Sequence, residues 1–405
     1  MTTDLVIIDA DGHTMEPDDL WVERMDHERW GDWIPRKVTE DDIYETTYVG
    51  GVIRSGGREL RDAMAKAVGK TPKELYDLLE SIRIPGGYDP HARLADMDRD
   101  GIDAAVLYPS IAMFFGPVDE IPALHDTEFV AACQRAYNEW VAEYCSADSK
   151  RLFGIAAVPL QDVDRAVAEA ERAVNDLGLR GIFIRPSAYL FADDGTELPL
   201  NHSAYDRFWA ACQDLDVPVA LHPGVHVDTP GACRKFGLVA VTDNIMVSNT
   251  ARDELHGGSG LGQAVGNTVD MVVSMGRLLM GGVCERFPRL RLLFLESGGG
   301  WIPTQLQRMD EQVKAVPLEK RWLSMLPSEY FARQCYAGFE AEEWNIAACA
   351  DFLGADRVLW ASDYPHPEFH PEVVKELRER IGDLSDDDQR KILGGNAIEA
   401  YRLPL

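Results

Sequence analysis

The sequence lacks any long hydrophobic run. No stretch approaches the roughly 18 consecutive apolar residues that a transmembrane helix needs. It also lacks a basic leader, because Met1–Asp4 passes directly into a strand-like run. We therefore expect a protein that neither enters a membrane nor carries a secretory signal.

Positive charge is scarce. The 405 residues include 40 lysines and arginines against 68 aspartates and glutamates, which gives a net charge of −28. A chain so acidic repels nucleic-acid backbones and anionic lipid surfaces. The composition therefore argues against nucleic-acid and membrane partners and favours a small-molecule substrate.

Paired cysteines are also missing. The seven cysteines are odd in number, irregularly spaced and never arranged as Cys-x-x-Cys. This usage predicts buried, reduced thiols and a cytoplasmic protein, and it argues against disulfides and a cysteine metal site.

The chain does contain a regular alternation of strand-like and helix-like segments. Eight strand-like runs separated by helical patterns match the count of a (β/α)₈ TIM barrel, with an open doubly wound sheet as the alternative. The eight runs are Val6–His13, Ala104–Tyr108, Leu152–Pro159, Gly181–Arg185, Val217–His222, Arg289–Glu296, Phe331–Gly338 and Arg357–Asp363.

Two long insertions interrupt this alternation. The first follows strand 1 over about residues 14–90 and reads as irregular, apart from a hairpin-like piece at Glu45–Ile53 and a helical pattern at Thr71–Ile84. The second follows strand 5 over about 225–260. Both would lie over the C-terminal face of a barrel, so we expect lids over an active site within a single domain, residues 1–405. Aromatic residues in and near the first insertion either pack it against the barrel or contact an apolar substrate.

Acids and histidines stand at the ends of three of the predicted strands. Asp11 and His13 are two residues apart on strand 1 and so share a face. His222 ends strand 5 and Asp363 ends strand 8. A lone aspartate there usually caps a turn and a lone histidine usually packs. Four such residues on one barrel face instead predict a site for Zn²⁺, Mn²⁺ or Fe²⁺.

Short motifs in a specific order carry a resemblance. The sequence resembles the amidohydrolase superfamily, in the branch of aminocarboxymuconate-semialdehyde decarboxylase and the hydroxybenzoate-type decarboxylases. The motifs are Asp9–His13 with Glu16-Pro17, Arg93–Asp98, Ile184–Pro186, Leu221–Pro223, Leu295–Pro303, Ser362–His366 and Lys391–Ala397 with Tyr401.

The resemblance implies a distorted (β/α)₈ barrel that holds a divalent metal, with Zn²⁺ as first choice and Fe²⁺ or Mn²⁺ as alternatives. It assigns Asp11, His13, His222 and Asp363 as ligands, and Asp363 also as the acceptor of a proton from water. It further implies a homo-oligomer, such as a dimer.

The sequence departs from this family pattern at two positions. Glu296 stands after strand 6, where several decarboxylases carry a histidine. It is open to four roles: metal ligand, bridge between two metals, general base, or a residue that only orients a neighbouring loop. Strand 4 ends in Arg185-Pro186-Ser187, without the lysine or glutamate of two-metal relatives. We therefore expect one ion, although Glu296 and His366 allow a second.

Two further residues are candidates for catalysis. Arg185 either binds an anionic substrate group or pairs with Asp9 or Glu296. His366, three residues after Asp363, either reaches the substrate or a metal or is an ordinary loop histidine.

Together these features predict a metal-dependent hydrolase. Metal-activated water would attack an ester, thioester, amide or activated C–C bond of a small hydrophobic acid derivative, with Asp363 or Glu296 taking the proton. Non-oxidative decarboxylation of an aromatic or unsaturated carboxylate is the alternative. A binding barrel without catalysis is a third hypothesis, which the strand-end ligands disfavour.

Overall fold

Eight parallel strands, numbered here β1 to β8, form the centre of the fold. The computed structural model describes residues 5–116, 121–224, 263–316, 318, 321–366 and 369–405. The strands are β1 Ile8–His13, β2 Ala104–Tyr108, β3 Leu152–Gly154 with Ala156–Ala157, β4 Ile182–Ile184, β5 Val219–Leu221, β6 Leu292–Phe294, β7 Cys335–Glu340 and β8 Val358–Ala361.

The strands lie side by side in chain order, in two hydrogen-bonded ladders that meet within β3. One ladder joins β1, β2 and the first part of β3, and the other runs from the second part of β3 to β8. Ile155 separates the two parts of β3. At the other junction Asp363 N donates to Asp11 O at 3.2 Å and His13 N donates to Tyr364 O at 2.6 Å. The predicted distorted (β/α)₈ barrel is confirmed.

Helices follow the strands and pack around them. Their buried faces are apolar, and the strands they cover are buried along nearly their whole length. Outside the first insertion, the helices of the described residues are Pro90–Asp100, Thr127–Cys145, Val163–Asn175, Asp206–Asp214, Thr268–Met280, Val283–Arg286, Ile302–Ala315, Pro327–Gln334, Ile346–Leu353, Val373–Arg380, Asp386–Arg390 and Asn396–Tyr401.

Local sequence signals explain where several helices begin and end. Asp126 accepts hydrogen bonds from Glu128 N at 2.9 Å and Phe129 N at 3.0 Å, which caps the long helix from Thr127. The helix Pro90–Asp100 starts with proline at its first position and ends at Gly101 with a φ of 75°, a conformation that glycine adopts without strain.

Strand 7 lies further along the chain than the sequence predicts. The predicted run Phe331–Gly338 begins inside the helix Pro327–Gln334, and β7 starts only at Cys335. The proline at the helix start and the hydrogen bond from Leu326 N to Glu329 Oε2 at 2.7 Å favour a helix there. The corrected strand ends at Glu340 rather than at Gly338.

The first insertion is more ordered than its composition predicts. It contains an antiparallel sheet of three strands, Arg36–Glu40, Tyr44–Val49 and Val52–Gly56, where the sequence predicts one hairpin. Its helices are Leu20–Arg24, His27–Trp30, Arg58–Ala67 and Pro72–Ser81. The prediction of an irregular segment is therefore wrong here, except that the helical pattern predicted at Thr71–Ile84 corresponds to the helix Pro72–Ser81. The predicted second insertion, about 225–260, lies outside the described residues.

The described part of the chain bears on two expectations from composition. Its cysteines are all buried and none is in a disulfide, whereas Cys233 lies outside the described residues. Within the described ranges, no helix has both the length and the apolar character needed to cross a membrane.

Candidate metal centre

The end of β1 presents an acid and an imidazole on one face. Asp11 and His13 are 3% and 1% exposed, and His13 Nε2 lies 3.7 Å from Asp11 Oδ1. The other ring nitrogen, Nδ1, contacts the Pro109 carbonyl oxygen at 3.0 Å. Because a carbonyl only accepts, Nδ1 of His13 carries the proton and Nε2 is directed into the cluster with its lone pair.

His222, just after β5, is oriented in the same manner. Its Nδ1 lies 2.9 Å from the Pro223 carbonyl oxygen, and its Nε2 faces Asp11 Oδ1 at 3.7 Å. The Nε2 atoms of His222 and His13 are only 3.1 Å apart. Two lone pairs at this distance repel each other, so a proton or a metal cation between them is required to make the arrangement favourable.

These donors fit a divalent cation. In the described ranges, Asp11 Oδ1 is buried without a hydrogen-bond partner, which is costly unless an ion or another donor compensates. One ligand atom from each of Asp11, His13 and His222 falls within 4.8 Å of the others. Oxygen and imidazole donors of this kind suit Mn²⁺, Fe²⁺ or Zn²⁺.

Asp363 and His366 extend the cluster from β8. Asp363 Oδ1 lies 3.5 Å from His13 Nε2 and 2.7 Å from His366 Nδ1, so the carboxylate lies beside both imidazoles, whose ring centroids are 4.2 Å apart. His366 Nε2 contacts the Ser110 hydroxyl at 3.0 Å. Among the described residues, His13, Asp363 and His366 form a second group with metal-ligand spacing, and it shares His13 with the first.

Glu296 enters the cluster from the end of β6. Its Oε2 lies 2.9 Å from His222 Nε2. Glu296 and Asp363 both have positive φ angles, 43° and 53°, in the left-handed region that non-glycine residues seldom occupy. Such backbone conformations cluster at functional sites, where the surrounding packing holds them.

Burial and mutual charge shift the titration of the cluster. Burial acts to lower the pKa of His222, but the carboxylates of Glu296 and Asp11 outweigh it and raise the pKa to about 10. Burial also acts to lower the pKa of His366, but the Asp363 carboxylate outweighs it and raises the pKa to about 9. Burial raises the pKa of Asp363 to about 6 and that of Asp11 well above its usual range. The protein's own groups therefore hold protons that a cation would displace.

Glu340 is a site residue that the sequence does not predict. It ends β7 and lines a cavity of about 220 Å³ together with Glu296, Glu342 and Asp363. Burial and the neighbouring carboxylates raise the pKa of Glu340 well above its usual range. With strand 7 predicted to end at Gly338, Glu340 does not appear at a strand end, and that displacement hides it.

Asp9 and Arg93 form the support beneath the cluster. The Asp9 carboxylate is fully buried, lies 3.5 Å from Arg93 Nη2 and accepts hydrogen bonds from Ser362 N at 3.0 Å and Ser362 Oγ at 2.6 Å. Arg93 also donates to the His13 carbonyl oxygen at 3.1 Å. These contacts fix the ends of β1 and β8 against each other.

Arg185 follows β4, and Asp9, one of the partners that the sequence allowed for it, binds Arg93. The Arg185 side chain is 2% exposed at the end of β4. Its guanidinium lies 5.5 Å from the Phe114 ring centroid and 3.5 Å from the Gly224 carbonyl oxygen. Its predicted role in binding an anionic substrate group stays a prediction.

The family of the chain follows from comparison with known proteins. A sequence model of the amidohydrolase family matches residues 58–403. The chain belongs to the amidohydrolase family. This assignment confirms the resemblance drawn from the short motifs and makes the chain a member of a family of enzymes.

Individual relatives indicate which branch of the amidohydrolase family the chain resembles. A gamma-resorcylate decarboxylase of Rhizobium radiobacter is 26% identical over 318 residues, which cover 76% of this chain and 84% of the relative. An amidohydrolase structure from Mycobacterium avium subsp. paratuberculosis superposes with a TM-score of 0.73 at 20% identity, over 99% of this chain and 100% of the other. A dihydroxybenzoic acid decarboxylase from Polaromonas, solved with manganese and 2-nitroresorcinol, gives 0.62 at 22% identity, over 85% and 94%.

The expectation of a hydrolase is wrong. Curated relatives at 24–27% identity are decarboxylases, and structural neighbours include decarboxylases of 2,6-dihydroxybenzoate and 5-carboxyvanillate. Zn²⁺ as the first-choice metal is likewise unsupported, because the ion named in the solved relatives is manganese.

Proposed function

We propose that this chain is a metal-dependent, non-oxidative decarboxylase of a small aromatic carboxylate of the hydroxybenzoate type. The reaction breaks the bond between the ring carbon and the carboxylate, releases CO₂ and leaves a proton on the ring carbon. The active site must therefore bind a carboxylate and deliver one proton, without attack by water.

The observation that carries this proposal is the Asp363–His366 pair beside the His13 imidazole. The sequence alone counts against decarboxylation, because Glu296 replaces the histidine expected after strand 6. His366 supplies an imidazole from another direction, 2.7 Å from the Asp363 carboxylate. With pKa values of about 6 and about 9 in the absence of a cation, Asp363 is mostly ionised and His366 protonated near neutral pH, so the pair has a proton on His366 that Asp363 can receive.

Asp11, His13, His222 and Asp363 would hold the divalent cation, with Glu296 as a further ligand. When bound, the cation supplies a positive charge that orients the acidic substrate and neutralises its negative charge. Manganese is the first ion to test, since two solved relatives contain it. One ion remains our proposal, because the two candidate ligand groups overlap at His13.

The remaining residues would orient the substrate and its proton. In this mechanism Asp363 gives the proton to the ring carbon and recovers one through His366, which is hydrogen-bonded to Ser110. Arg185 would grip an anionic oxygen of the substrate, because a guanidinium binds carboxylates with two parallel hydrogen bonds.

The experiment uses the manganese-loaded chain with 2,6-dihydroxybenzoate and 5-carboxyvanillate, in water enriched in ¹⁸O and separately in D₂O. We expect CO₂ release from at least one acid, a phenolic product with deuterium on the former carboxylate carbon, and no ¹⁸O in that product. Incorporation of ¹⁸O into the organic product, or no CO₂ from either acid with the metal site filled, would refute the proposal.

A pair of histidine variants tests the role of the imidazole. His366→Asn should lower the turnover number by about 10²–10⁴-fold, the usual contribution of a positioned proton-transfer group. His370→Asn is the matched control, because His370 is half-exposed and pairs with Glu376 rather than with the cluster. Equal activity of the two variants would remove His366 from the mechanism.

A further inference from the structure

A second pocket lies between the first insertion and the loop after β2. It encloses about 370 Å³, within the range of about 300–1,000 Å³ that small-molecule sites occupy. Its apolar wall includes Trp21, Val49 and Phe114, of which Trp21 and Val49 are fully buried. We call it the insertion pocket.

The insertion pocket is positively charged in a strongly negative protein. Arg36, Lys37, Arg54 and Arg83 line it, against the carboxylates of Glu16 and Asp18. The buried Glu16 carboxylate accepts hydrogen bonds from the backbone N–H groups of Ile111 and Ala112, each at 2.9 Å, so backbone dipoles offset its charge. Among the described lining residues, four cations therefore stand against two carboxylates, in a chain whose net charge is −28.

Two of these cations, Arg36 and Arg83, have existing partners that are weak competitors for a ligand, whereas Lys37 is held by Asp18 at 2.8 Å and Glu45 at 3.3 Å. Arg36 pairs at 3.3 Å with Asp32, whose side chain is 92% exposed, and Arg83 lies 3.7 Å from Glu80, whose side chain is 41% exposed. Ion pairs between exposed side chains contribute about 0–1 kcal/mol. An anion held in the pocket can therefore draw these guanidinium groups to itself.

The apolar and cationic parts of the pocket are joined at Phe114. The Arg54 guanidinium lies over the Phe114 ring, 4.6 Å from its centroid. An aromatic ligand bearing an anionic group can contact the ring with its apolar body and the guanidinium with its charge.

We propose that the insertion pocket binds an amphipathic anion, an apolar ring system that carries a carboxylate, sulfonate or phosphate. The apolar wall accepts the ring system, and Arg54 and Arg83 bind the anionic group. The pocket borders the candidate metal centre, because Met15 follows His13 by two residues and Ile111 follows Ser110, the hydrogen-bond partner of His366. The proposal does not depend on the decarboxylation proposed above.

The test is a fluorescence titration of the manganese-loaded chain with 8-anilinonaphthalene-1-sulfonate, an aromatic sulfonate. The double variant Arg54→Gln/Arg83→Gln should weaken binding by about tenfold or more, the effect of losing charge-assisted hydrogen bonds. Arg378→Gln is the control, because Arg378 lines a separate surface pocket on the helix Val373–Arg380. Equal dissociation constants for the wild-type chain and the double variant would overturn the proposal.

Two further experiments determine whether the probe binds in the insertion pocket. The exposed Ser55 lines the pocket, and Ser55→Trp should block binding by filling the space. N-phenyl-1-naphthylamine, which lacks the sulfonate, should bind more weakly than the sulfonate and should not respond to Arg54→Gln/Arg83→Gln. Unchanged sulfonate binding in Ser55→Trp, or tighter binding of the uncharged probe, would contradict an anion site here.

A third arm separates this proposal from the proposed function. Asp363→Asn should abolish decarboxylation and leave the affinity for the sulfonate within about twofold of wild type. Loss of sulfonate binding in Asp363→Asn would mean that the probe occupies the metal centre, and it would overturn the insertion pocket while leaving the decarboxylase proposal intact.

Discussion

The candidate metal centre and the insertion pocket include neighbouring residues at the end of β1 and just after it. His13 ends β1 and lies beside the carboxylates of Asp11 and Asp363, whereas Met15 and Glu16 line a pocket with four cations. The first site is assembled from strand ends of the barrel, and the second from a small sheet and helices inserted after β1. On the two proposals above, the barrel would hold the reacting groups while the insertion would supply a separate surface for ligand binding.

The largest expected difference between the two sites comes from removing the Asp363 carboxylate of the metal centre. Asp363→Asn should lower the turnover number on a hydroxybenzoate substrate by about 10²–10⁴-fold, because it loses the proposed proton donor and a metal ligand together. Steady-state kinetics at fixed manganese concentration measures the loss. Asp351→Asn, at an exposed aspartate on the helix Ile346–Leu353, should retain wild-type turnover. Full activity in Asp363→Asn would refute the assigned role.

Ion pairs near the two sites should differ in their contribution to stability. Asp9→Asn leaves the buried Arg93 without its carboxylate partner and should lower the free energy of unfolding by about 3–5 kcal/mol. Asp18→Asn breaks an ion pair with Lys37, in which the Asp18 side chain is 42% exposed and the Lys37 side chain 21%. It should lower the free energy of unfolding by less than about 1 kcal/mol. Urea denaturation of both variants compares them. Equal losses of unfolding free energy in the two variants would contradict the larger contribution expected of the buried Asp9–Arg93 pair.

Metal binding should depend strongly on pH. His222, with a pKa of about 10, is protonated at pH 7 and must lose that proton before it can ligate a cation. Manganese affinity should therefore rise by up to about tenfold per pH unit for each proton displaced, and level off as the pH approaches 10. Calorimetry in buffers of different ionisation enthalpy counts the released protons. Binding without proton release at pH 7 would exclude His222 as a ligand.

The smallest expected effect concerns Glu340. The pKa of Glu340 is raised in the folded protein. Its protonated carboxyl therefore stabilises the folded protein below about pH 4.5, and this contribution is lost as the pH rises through the folded-state pKa. In the metal-free chain at pH 7, Glu340→Gln should therefore raise the melting temperature by roughly 1–3 °C. Glu342→Gln, at an exposed neighbour lining the same cavity, should leave it unchanged. A fall in the melting temperature of Glu340→Gln would contradict the assigned burial cost.

The strand-end cluster was accessible from sequence because its signals are local. Buried parallel strands appear as short apolar runs, and a polar residue at the end of such a run lies on the functional face of a barrel. Asp11, His13, His222 and Asp363 follow this rule, and the structure brings them together. His366 was harder to assign, because only the fold shows that its imidazole lies beside Asp363.

Glu340 and the insertion pocket were not accessible from sequence for different reasons. The apolar run at Phe331 resembles a strand, yet Pro327 and Glu329 begin a helix there, so the end of β7 was misplaced by two residues. The cations of the pocket come from positions spread between Arg36 and Arg83, and tertiary packing alone brings them together. No periodic pattern marks such a set.

The metal centre is tested most directly by a crystal of the manganese-loaded chain, with anomalous scattering recorded at the manganese edge. We expect one peak, bounded by Asp11, His13, His222 and Asp363, and no peak in the insertion pocket. A manganese peak away from those four residues, or no peak in crystals grown with excess manganese, would contradict the claim that the strand ends form a metal centre.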